Sequence, residues 1–376
     1  MLTRPLRLGV DARAFSSPAG GVRRYVWELY RALRDVDPDV DLVAIGATPD
    51  APLPDGLSRR GAIPFPTNLG WTAASLPLAC RGAGLDVFHA PAYTAPLWGV
   101  HPQLLTIHDV STERRPEWNA YRNDRVRRAF YRRGALAADR IVTDSAFSKS
   151  EITAAYPIPA ERIDVVPLAP AAMFTPGRFD PAAAPRGVRQ PYALHVGDIQ
   201  VRRNLQTALD AVLRIRRLRD KRSAGPLSLV CVGVDRGEGV RLAARAGDAS
   251  DPGALVLTGP VDDGSLVNLY RGAALLVYPS RYEGFGIPIL EAMRCGIPVV
   301  GANAASIPEL MGDAGILLPP GDVDAWAVAI LSVVEDPAVA ARLSAASVRQ
   351  AATFTWERTA HDTLRLLRGL AGRTIA

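Results

Sequence analysis

Short apolar runs alternate with longer amphipathic segments along most of the chain, which is the pattern of an α/β protein. In the first half, the apolar runs that predict strands lie at 6–12, 41–47, 85–91, 103–110, 140–145 and 163–169. Helical spacing of apolar residues predicts a helix over 22–36, and another helix is expected from about Ala146. Because strands and helices alternate, we expect a parallel sheet covered by helices on both faces.

The stretch 171–191 interrupts this alternation and reads as a linker, since it is rich in Pro, Gly and Ala and has no apolar period. The alternation then restarts, with predicted strands at 192–198, 227–234, 254–261, 274–280, 297–303 and 315–320. Predicted helices follow at about 204–219, 236–247, 263–273, 286–295, 322–335, 337–353 and 356–370. The 376 residues therefore predict two Rossmann-like, doubly wound domains, with ligands beyond the carboxyl ends of the strands.

The composition is that of a soluble globular enzyme, with 48% hydrophobic and 22% charged residues. No apolar run reaches the about 18 residues that a spanning helix needs, and the amino-terminal stretch lacks the apolar core of a signal peptide. Cys80, Cys231 and Cys295 are far apart and form no C-x-x-C pair, which argues against a disulfide framework or a zinc knuckle. These features predict a cytoplasmic protein.

The basic residues are almost all arginine: of 44, two are lysine (Lys149 and Lys221) and the other 42 are arginine, for a net charge of +6. They are spread over both halves, so no nucleic-acid partner is expected. Eight arginines nevertheless concentrate within the Arg114–Arg133 region. Two interpretations stand: a solvated helix face, or a patch for an anionic acceptor or for the inner face of a membrane, where the protein would be peripheral.

Two carboxylates, Glu283 and Glu291, flank a Gly-Phe-Gly turn that follows an apolar strand. Pro288 suits the first turn of a helix, where its missing N–H has no intrahelical partner. A carboxylate accepts two hydroxyls at once, so each acid is suited to a sugar diol, and the helix start suits an anion. The backbone amides expected at this helix start belong to Gly284, Phe285, Gly286 and Ile287.

A basic pair lies after the predicted strand 192–198, where Arg202 and Arg203 precede a helix. Arginine offers a planar fork of N–H donors that suits a diphosphate. Asp198 lies in the same loop, and its carboxylate would repel a diphosphate if it pointed inward. The pair is therefore a candidate cation site for a nucleotide diphosphate.

Polar residues also follow strands in the first half. His108 and Asp109 form an adjacent pair at one strand end, where Asp109 would either orient the histidine or contact an acceptor. Ser145 fits a helix cap, and Lys149 is a candidate for the acceptor side.

Another candidate element of the first half is the glycine pair Gly20 and Gly21, which lies between the first strand and the first helix. There its amides can approach a phosphate. No G-x-G-x-x-G pattern is present, so a dinucleotide is not expected.

The segment PSRYEGFGIPILEAMRCGIPVVGANAASIPELMGDAGILLPPGD resembles the E-x7-E region of retaining glycosyltransferases of family 4, which have the GT-B fold. The resemblance covers nearly the whole chain, including FTWERTAHDTLRLL near its end, and it favours the mannosyltransferase-like group. It implies an N-terminal acceptor-binding domain over 1–180 and a C-terminal nucleotide-sugar-binding domain over 181–355, facing a central cleft. A helix within 356–376 would cross back to the N-terminal domain.

The resemblance also implies residue roles. Glu283 would contact the hydroxyls of the donor sugar, and Glu291 would hold the ribose diol. Arg203 stands where the family usually has a phosphate-binding lysine, whereas Asp198 stands where many relatives have an arginine. His108 matches the family's active-site histidine. Gly20 and Gly21 would lie across the cleft from the diphosphate and beside the acceptor, and the base would lie beside the backbone of Val261.

The reaction that this resemblance implies is retaining transfer of a hexose from GDP-mannose, or from a UDP- or dTDP-sugar. The acceptor would be a hydroxyl of a glycan, a lipid-linked or a small molecule, and no metal or other cofactor is expected. The D-x-D stretches at 35–41 and 322–324 are interpreted as a turn and a helix cap. The alternatives are a GT-B nucleotide-sugar epimerase or phosphorylase, or a catalytically silent nucleotide-sugar-binding module.

Overall fold

The computed structural model describes residues 4–17, 20–118, 123–220 and 226–372. The chain divides into two compact units: Met1–Leu168 with Thr355–Ala376, and Ala169–Phe354. Parts of the sequence interpretation lie outside the described residues: Pro18 and Ala19 of the glycine turn, Arg122 of the arginine-rich region, and Lys221.

The first unit is built on one parallel sheet, which within the described ranges has seven strands in the order β3-β2-β1-β4-β5-β6-β7. The direction of strand addition reverses between β1 and β4, which is where doubly wound sheets usually bind ligands. The strands are β1 (Arg7–Asp11), β2 (Asp41–Ile45), β3 (Ser58–Arg60), β4 (Val87–Ala90), β5 (Gln103–Thr106), β6 (Arg140–Thr143) and β7 (Ile163–Val165).

Helices cover this sheet because each has one apolar face. The helix α1 buries Val26, Leu29 and Leu33 at helical spacing, and the carboxyl-terminal α14 packs against it. Thr359 of α14 also donates a hydrogen bond of 2.7 Å to the carbonyl of Pro167. The helices are α1 (Gly20–Val36), α2 (Asn68–Gly70), α3 (Leu76–Cys80), α4 (Ser111–Arg114), α5 (Arg125–Ala137), α6 (Ala146–Ala155) and α14 (Trp356–Leu370), with a π-helical turn at Trp71–Ser75.

The second unit repeats the architecture with a parallel sheet of six strands among its described residues, in the order β10-β9-β8-β11-β12-β13. Its reversal point lies between β8 and β11. The strands are β8 (Tyr192–Val196), β9 (Ser228–Val232), β10 (Leu255–Gly259), β11 (Leu275–Tyr278), β12 (Val299–Ala302) and β13 (Ile316–Leu318). The helices are α7 (Leu205–Asp220), α8 (Gly239–Asp248), α9 (Asp263–Gly272), α10 (Ile287–Arg294), α11 (Ile307–Met311), α12 (Val323–Glu335) and α13 (Pro337–Ala351).

The segment 171–191, which the sequence suggests as a linker, is fixed to the second unit. The ring of Phe174 packs edge-on against Tyr270 at 5.5 Å, and Asn268 exchanges two hydrogen bonds with the backbone of Asp180. The structure therefore places the boundary at residues 168 and 169 rather than at 180 and 181. The sequence misplaced it because Pro-rich backbone has no period, although its few apolar side chains still pack.

The predicted fold class is confirmed, and the errors concern short or polar elements. The sequence analysis missed β3, whose Ser-Arg-Arg sequence has no apolar residue, and also α2, α3, α4 and α11, which have five residues or fewer. It offered α5 only as one of two interpretations of the arginine-rich region. The three cysteines are free and buried, and burial raises the pKa of each thiol to about 12. No helix in the described ranges has the length and apolarity to cross a bilayer.

Candidate active site

A buried cluster of opposite charges lies beyond the carboxyl ends of β8 and β11, at the reversal point of the second sheet. Arg203 Nη1 donates to Glu283 Oε1 and, at 2.6 Å, to the hydroxyl of Tyr278. Arg202 Nη1 lies 3.6 Å from Glu283 Oε2 and donates to the carbonyl of Tyr282 at 2.9 Å. Two guanidinium groups thus share one carboxylate, which leaves an excess of positive charge at this sheet edge.

The cluster is largely shielded from water: the exposed fraction is 17% for the side chain of Arg202, 11% for Arg203 and 7% for Glu283. Burial disfavours the charged form of Arg203, but Glu283 and Tyr278 outweigh it and raise the pKa of the guanidinium above its usual value. Arg203 therefore stays charged. Its Nε is buried and has no hydrogen-bond partner among the described residues, which leaves one donor for a ligand.

The loop that carries the two arginines is shaped by Asn204, which adopts a left-handed conformation with φ of 54°. Its side-chain amide donates to the carbonyls of Pro279, at 3.2 Å, and Pro320, at 2.6 Å. These bonds join the loop after β8 to the ends of β11 and β13. Gly233 (φ 144°) supports the same edge, since a Cβ there would lie 2.3 Å from the carbonyl oxygen of Gly197.

The Gly-Phe-Gly turn leads into α10, as the sequence predicts. Gly286 has φ of 121°, precedes the first helical residue Ile287, and provides no side-chain cap. Ser306 is fully buried and donates to the carbonyls of Glu283, at 3.1 Å, and Phe285. Gly284 lies between these two carbonyls, so the turn is held in one shape before any ligand binds.

Glu291 lies in the second turn of α10 and is only 3% exposed. Its Oε2 accepts a hydrogen bond of 2.8 Å from the hydroxyl of Tyr270 on α9. Burial, followed by the charge of Glu291, raises the pKa of Tyr270 well above 10, so this phenol remains a donor at neutral pH. The two acids that the sequence groups together are thus held by different partners, arginines for Glu283 and a tyrosine for Glu291.

The carboxylate of Asp198 is paired with Arg236, whose Nε lies 2.9 Å from Oδ2. This pair is partly exposed, and it neutralises the charge that would otherwise oppose a diphosphate near Arg203. Val261 is half-buried in the loop between β10 and α9. The role of its backbone beside a base stays a prediction.

In the first unit, His108 follows β5 and is fixed from two sides by the turn after β6. Its Nδ1 lies 2.8 Å from Oδ2 of Asp144, and its carbonyl accepts a hydrogen bond of 3.0 Å from Ser148. The rings of Tyr25 and Tyr93 pack edge-on against the imidazole at 4.8 and 5.8 Å. Nε2 is buried, and a hydrogen bond between the imidazole and the backbone of Pro91 also contributes to the environment of the ring.

The Asp144–His108 pair sets the protonation of the imidazole. Burial is the largest single effect and lowers the pKa of His108, but the charge and hydrogen bond of Asp144, with smaller contributions from the charge of Asp109 and the backbone of Pro91, together raise it by more, so the net shift is upward. Burial also raises the pKa of the Asp144 carboxyl, against the effect of His108. The pKa of His108 is therefore raised, because the negative charge of Asp144 lies within hydrogen-bond distance of the imidazole.

The interpretation of Asp109 as the residue that orients His108 is wrong. Asp109 Oδ1 instead accepts the backbone N–H of Ser111 at 2.9 Å, at the start of α4, and Asp144 takes the orienting position. Ser145 caps α6, as expected, by accepting the N–H of Ser148 at 3.0 Å. Lys149 is half-buried on α6, and contact of Asp109, Ser145 or Lys149 with an acceptor stays a prediction.

Gly20 and Gly21 lie inside the first turn of α1 rather than in the turn before it. A Cβ at either position would meet no atom within 4 Å, so packing in the structure does not require glycine there. The open space is compatible with a ligand close to the helix start, and that role stays a prediction.

Sequence reasoning missed four residues that shape these sites: Asp144, Asn204, Tyr270 and Ser306. Asp144 had a usable signal, because it is an acid at a strand end next to the strand that carries His108. Asn204 was visible only as the start of a helix. Tyr270 and Ser306 had no signal, since their contacts join elements far apart in sequence.

Comparison with known proteins identifies the family of the chain. The family model described as "Glycosyltransferase Family 4" matches residues 19–169, and the one described as "Glycosyl transferases group 1" matches residues 190–336. The O-antigen chain mannosyltransferase B of Escherichia coli is 34% identical over 288 residues, which cover 74% of this chain and 73% of that protein. The chain belongs to the family 4, group 1 glycosyltransferases.

Solved structures agree on the fold of this glycosyltransferase, which is of the GT-B type. Sucrose-phosphate synthase of Thermosynechococcus elongatus aligns with a TM-score of 0.77 at 21% identity, over 98% of this chain and 100% of that chain. HepE of Anabaena, in complex with UDP and glucose, aligns with a TM-score of 0.72 at 19% identity, over 97% of this chain and 100% of that chain. At these identities the likeness concerns the fold alone.

Proposed function

We propose that this glycosyltransferase moves a hexose from a nucleoside diphosphate sugar to a hydroxyl of a glycan, lipid-linked or small-molecule acceptor, with retention of anomeric configuration. The proposal further holds that no metal ion takes part. The observation that carries it is the buried Arg202–Glu283–Arg203 cluster at the reversal point of the second sheet.

The cluster suits a donor of this kind because it combines cations with an acceptor of hydroxyls. The excess positive charge and the unpartnered Nε of Arg203 suit a diphosphate oxygen. The carboxylate of Glu283, already oriented by two guanidinium groups, suits a sugar hydroxyl. Glu291, next to the donor hydroxyl of Tyr270, suits the ribose diol.

In the proposed reaction, the bond between the anomeric carbon and the leaving phosphate oxygen breaks, and the acceptor oxygen bonds to the same face of that carbon. The acceptor proton passes to the departing phosphate oxygen, so no side chain acts as a covalent nucleophile. Arg202 and Arg203 stabilise the negative charge that grows on the diphosphate, which is the role a metal ion has in other transferases. His108 is proposed as the active-site histidine of the first unit.

A mannosyl donor is the first candidate, because the Escherichia coli relative is named a mannosyltransferase. We therefore propose GDP-mannose first, and UDP- and dTDP-sugars as the alternatives. The nucleotide base distinguishes these candidate donors, and Val261 is the only residue that we assign to binding it.

The test begins with thermal shift of the purified protein in GDP, UDP and dTDP, and continues with the matching sugar donors. Turnover is then followed with hydroxyl acceptors, with and without EDTA, and NMR gives the anomeric configuration of the product. Acceptor-dependent transfer with retention in EDTA is the expected result. Isomerisation of the donor without acceptor would indicate an epimerase, and formation of a sugar phosphate from a glycan would indicate a phosphorylase. Tight donor binding without turnover would indicate a silent module. Each of these outcomes would overturn the proposal.

A further inference from the structure

A groove on the first unit lies between α5 and the end of α6. Its volume is about 650 Å³, which is within the size range of small-molecule sites. The groove is lined by Glu113, Arg125, Arg128, Ala129, Arg132, Arg133, Leu136, Ala155 and Tyr156. Four of these nine residues are arginines and one is acidic.

The helical period brings the arginines together. Arg125, Arg128 and Arg132 are spaced by three and four residues along α5, so they occupy one face of the helix, with Arg133 beside them. The lining also includes the apolar side chains of Leu136, Ala129 and Ala155. A concave surface lined by cations and apolar side chains differs from a flat solvated helix face.

The charges in this groove are only partly compensated. Arg128 pairs with Glu113 at 2.8 Å, whereas Arg125, Arg132 and Arg133 are exposed and have no carboxylate partner within the described ranges. Glu113 Oε1 is buried and has no hydrogen-bond donor there either. The groove therefore offers several N–H donors for an anion next to one acceptor for a hydroxyl.

We propose that this groove binds a phosphate ester that carries free hydroxyls, either as a soluble molecule or as the headgroup of a lipid. Guanidinium forks of Arg125, Arg132 and Arg133 bind the phosphate oxygens, and Glu113 accepts a hydroxyl. The inference does not rest on the proposed transfer reaction, because binding is measured without donor or turnover.

The probes present the same headgroup from two sources. The soluble probe is sn-glycerol 3-phosphate, measured by calorimetry, and the lipid probe is vesicles of equimolar phosphatidylglycerol and phosphatidylcholine, measured by co-sedimentation. Vesicles of phosphatidylcholine alone serve as the uncharged control. All proteins are the full chain, so any probe bound at Arg202 and Arg203 is common to them and cancels in the comparison.

The groove variant is Arg125→Gln/Arg132→Gln/Arg133→Gln, in which glutamine keeps helix propensity at exposed positions. The matched control is Arg31→Gln/Arg342→Gln/Arg349→Gln, which removes the same charge at exposed helical positions elsewhere. A second, independent variant is Ala129→Glu, which adds a carboxylate to the groove and leaves every arginine in place.

The expected result is a loss of affinity of about tenfold or more in both groove variants, for one probe or both, with the control variant unchanged. Loss for glycerol phosphate alone assigns a soluble ligand, and loss for phosphatidylglycerol vesicles assigns a lipid headgroup. The proposal is overturned if the wild-type protein binds neither probe, if the control variant loses as much affinity as the groove variants, or if Ala129→Glu binds normally.

Discussion

Asp144 holds the imidazole of His108 with a separation of 2.8 Å between Oδ2 and Nδ1, although the two residues are 36 positions apart in the chain. The contact exists because β5 and β6 are parallel neighbours, so the residues after them emerge at the same sheet edge. With Nδ1 engaged by Asp144, the buried Nε2 is the ring nitrogen on the opposite side of the imidazole. This pairing gives the first unit a histidine of fixed orientation and raised pKa.

Asp144→Asn should lower the pKa of His108, because the imidazolium loses the negative charge beside it. If His108 acts in transfer, kcat/KM should also fall by about tenfold or more. An NMR titration of the ring protons measures the pKa without any need for activity. Asp109→Asn is the matched control, since Asp109 accepts the N–H of Ser111 rather than binding the imidazole and should affect the pKa of His108 less. A pKa that does not move in Asp144→Asn contradicts the assignment.

Arg203→Ala should reduce kcat/KM by about 100-fold, which corresponds to roughly 2–3 kcal/mol of transition-state stabilisation from one preorganised contact. The loss is expected because Arg203 orients Glu283 and keeps a free Nε donor. Steady-state kinetics with the identified donor measure it. Arg241→Ala removes the same charge from an exposed pair with Glu238 and should leave kcat/KM within about threefold. An equal loss of kcat/KM in the two variants would contradict the role assigned to Arg203.

Glu291→Ala should weaken binding of the nucleoside diphosphate by about tenfold, because the ribose loses its hydrogen-bond acceptor. Tyr270→Phe keeps the carboxylate and removes only the hydroxyl that binds it, so affinity should change by less than about threefold. Calorimetry with GDP or UDP measures both variants. If Tyr270→Phe has the larger effect, Glu291 serves the packing of α9 against α10 rather than the ribose.

Asn204→Ala should destabilise the second unit by about 1–3 kcal/mol, because one buried and one half-buried carbonyl lose their donor. Asn204→Gly loses the same hydrogen bonds but accepts the left-handed backbone, so the difference between the two variants gives the conformational cost of alanine. Urea unfolding measures both. A fully stable Asn204→Ala protein would show that other contacts fix this loop.

His195 of β8 is fully buried and stacks on the ring of Tyr278, and burial, with Arg203 nearby, lowers its pKa to about 3. In the unfolded chain the pKa is about 6.5, so between pH 6.5 and 3 only the unfolded state binds this proton, and stability is lost as the pH falls. From pH 7 to 5, His195 should cost the second unit about 2 kcal/mol. His195→Gln should remove this part of the pH dependence, measured by urea unfolding relative to pH 7. An unchanged slope would mean that the buried ring takes up a proton.

The period of the apolar residues determined most of the fold. Apolar runs such as Leu275–Tyr278 are buried on both faces. Where such runs alternate with amphipathic helices, they form the central strands of a parallel sheet. Local chemistry was likewise readable: Ser145 as a cap, and Gly286 and Pro288 at the start of α10. Elements without an apolar signal, such as Ser58–Arg60, were not readable, because the edge of a sheet needs no buried face.

The tertiary structure determined which side chains pair with each other at the candidate active site. Glu283 and Glu291 are eight residues apart in the sequence, but their partners differ in the structure. Glu283 pairs with two arginines from another crossover, and Glu291 accepts a hydrogen bond from a tyrosine of α9. His108 likewise pairs with Asp144 rather than with its sequence neighbour Asp109. The reason is geometric: parallel strands bring side chains from distant positions to one edge, and the hydrogen bonds formed there depend on register and loop shape, which no local pattern encodes.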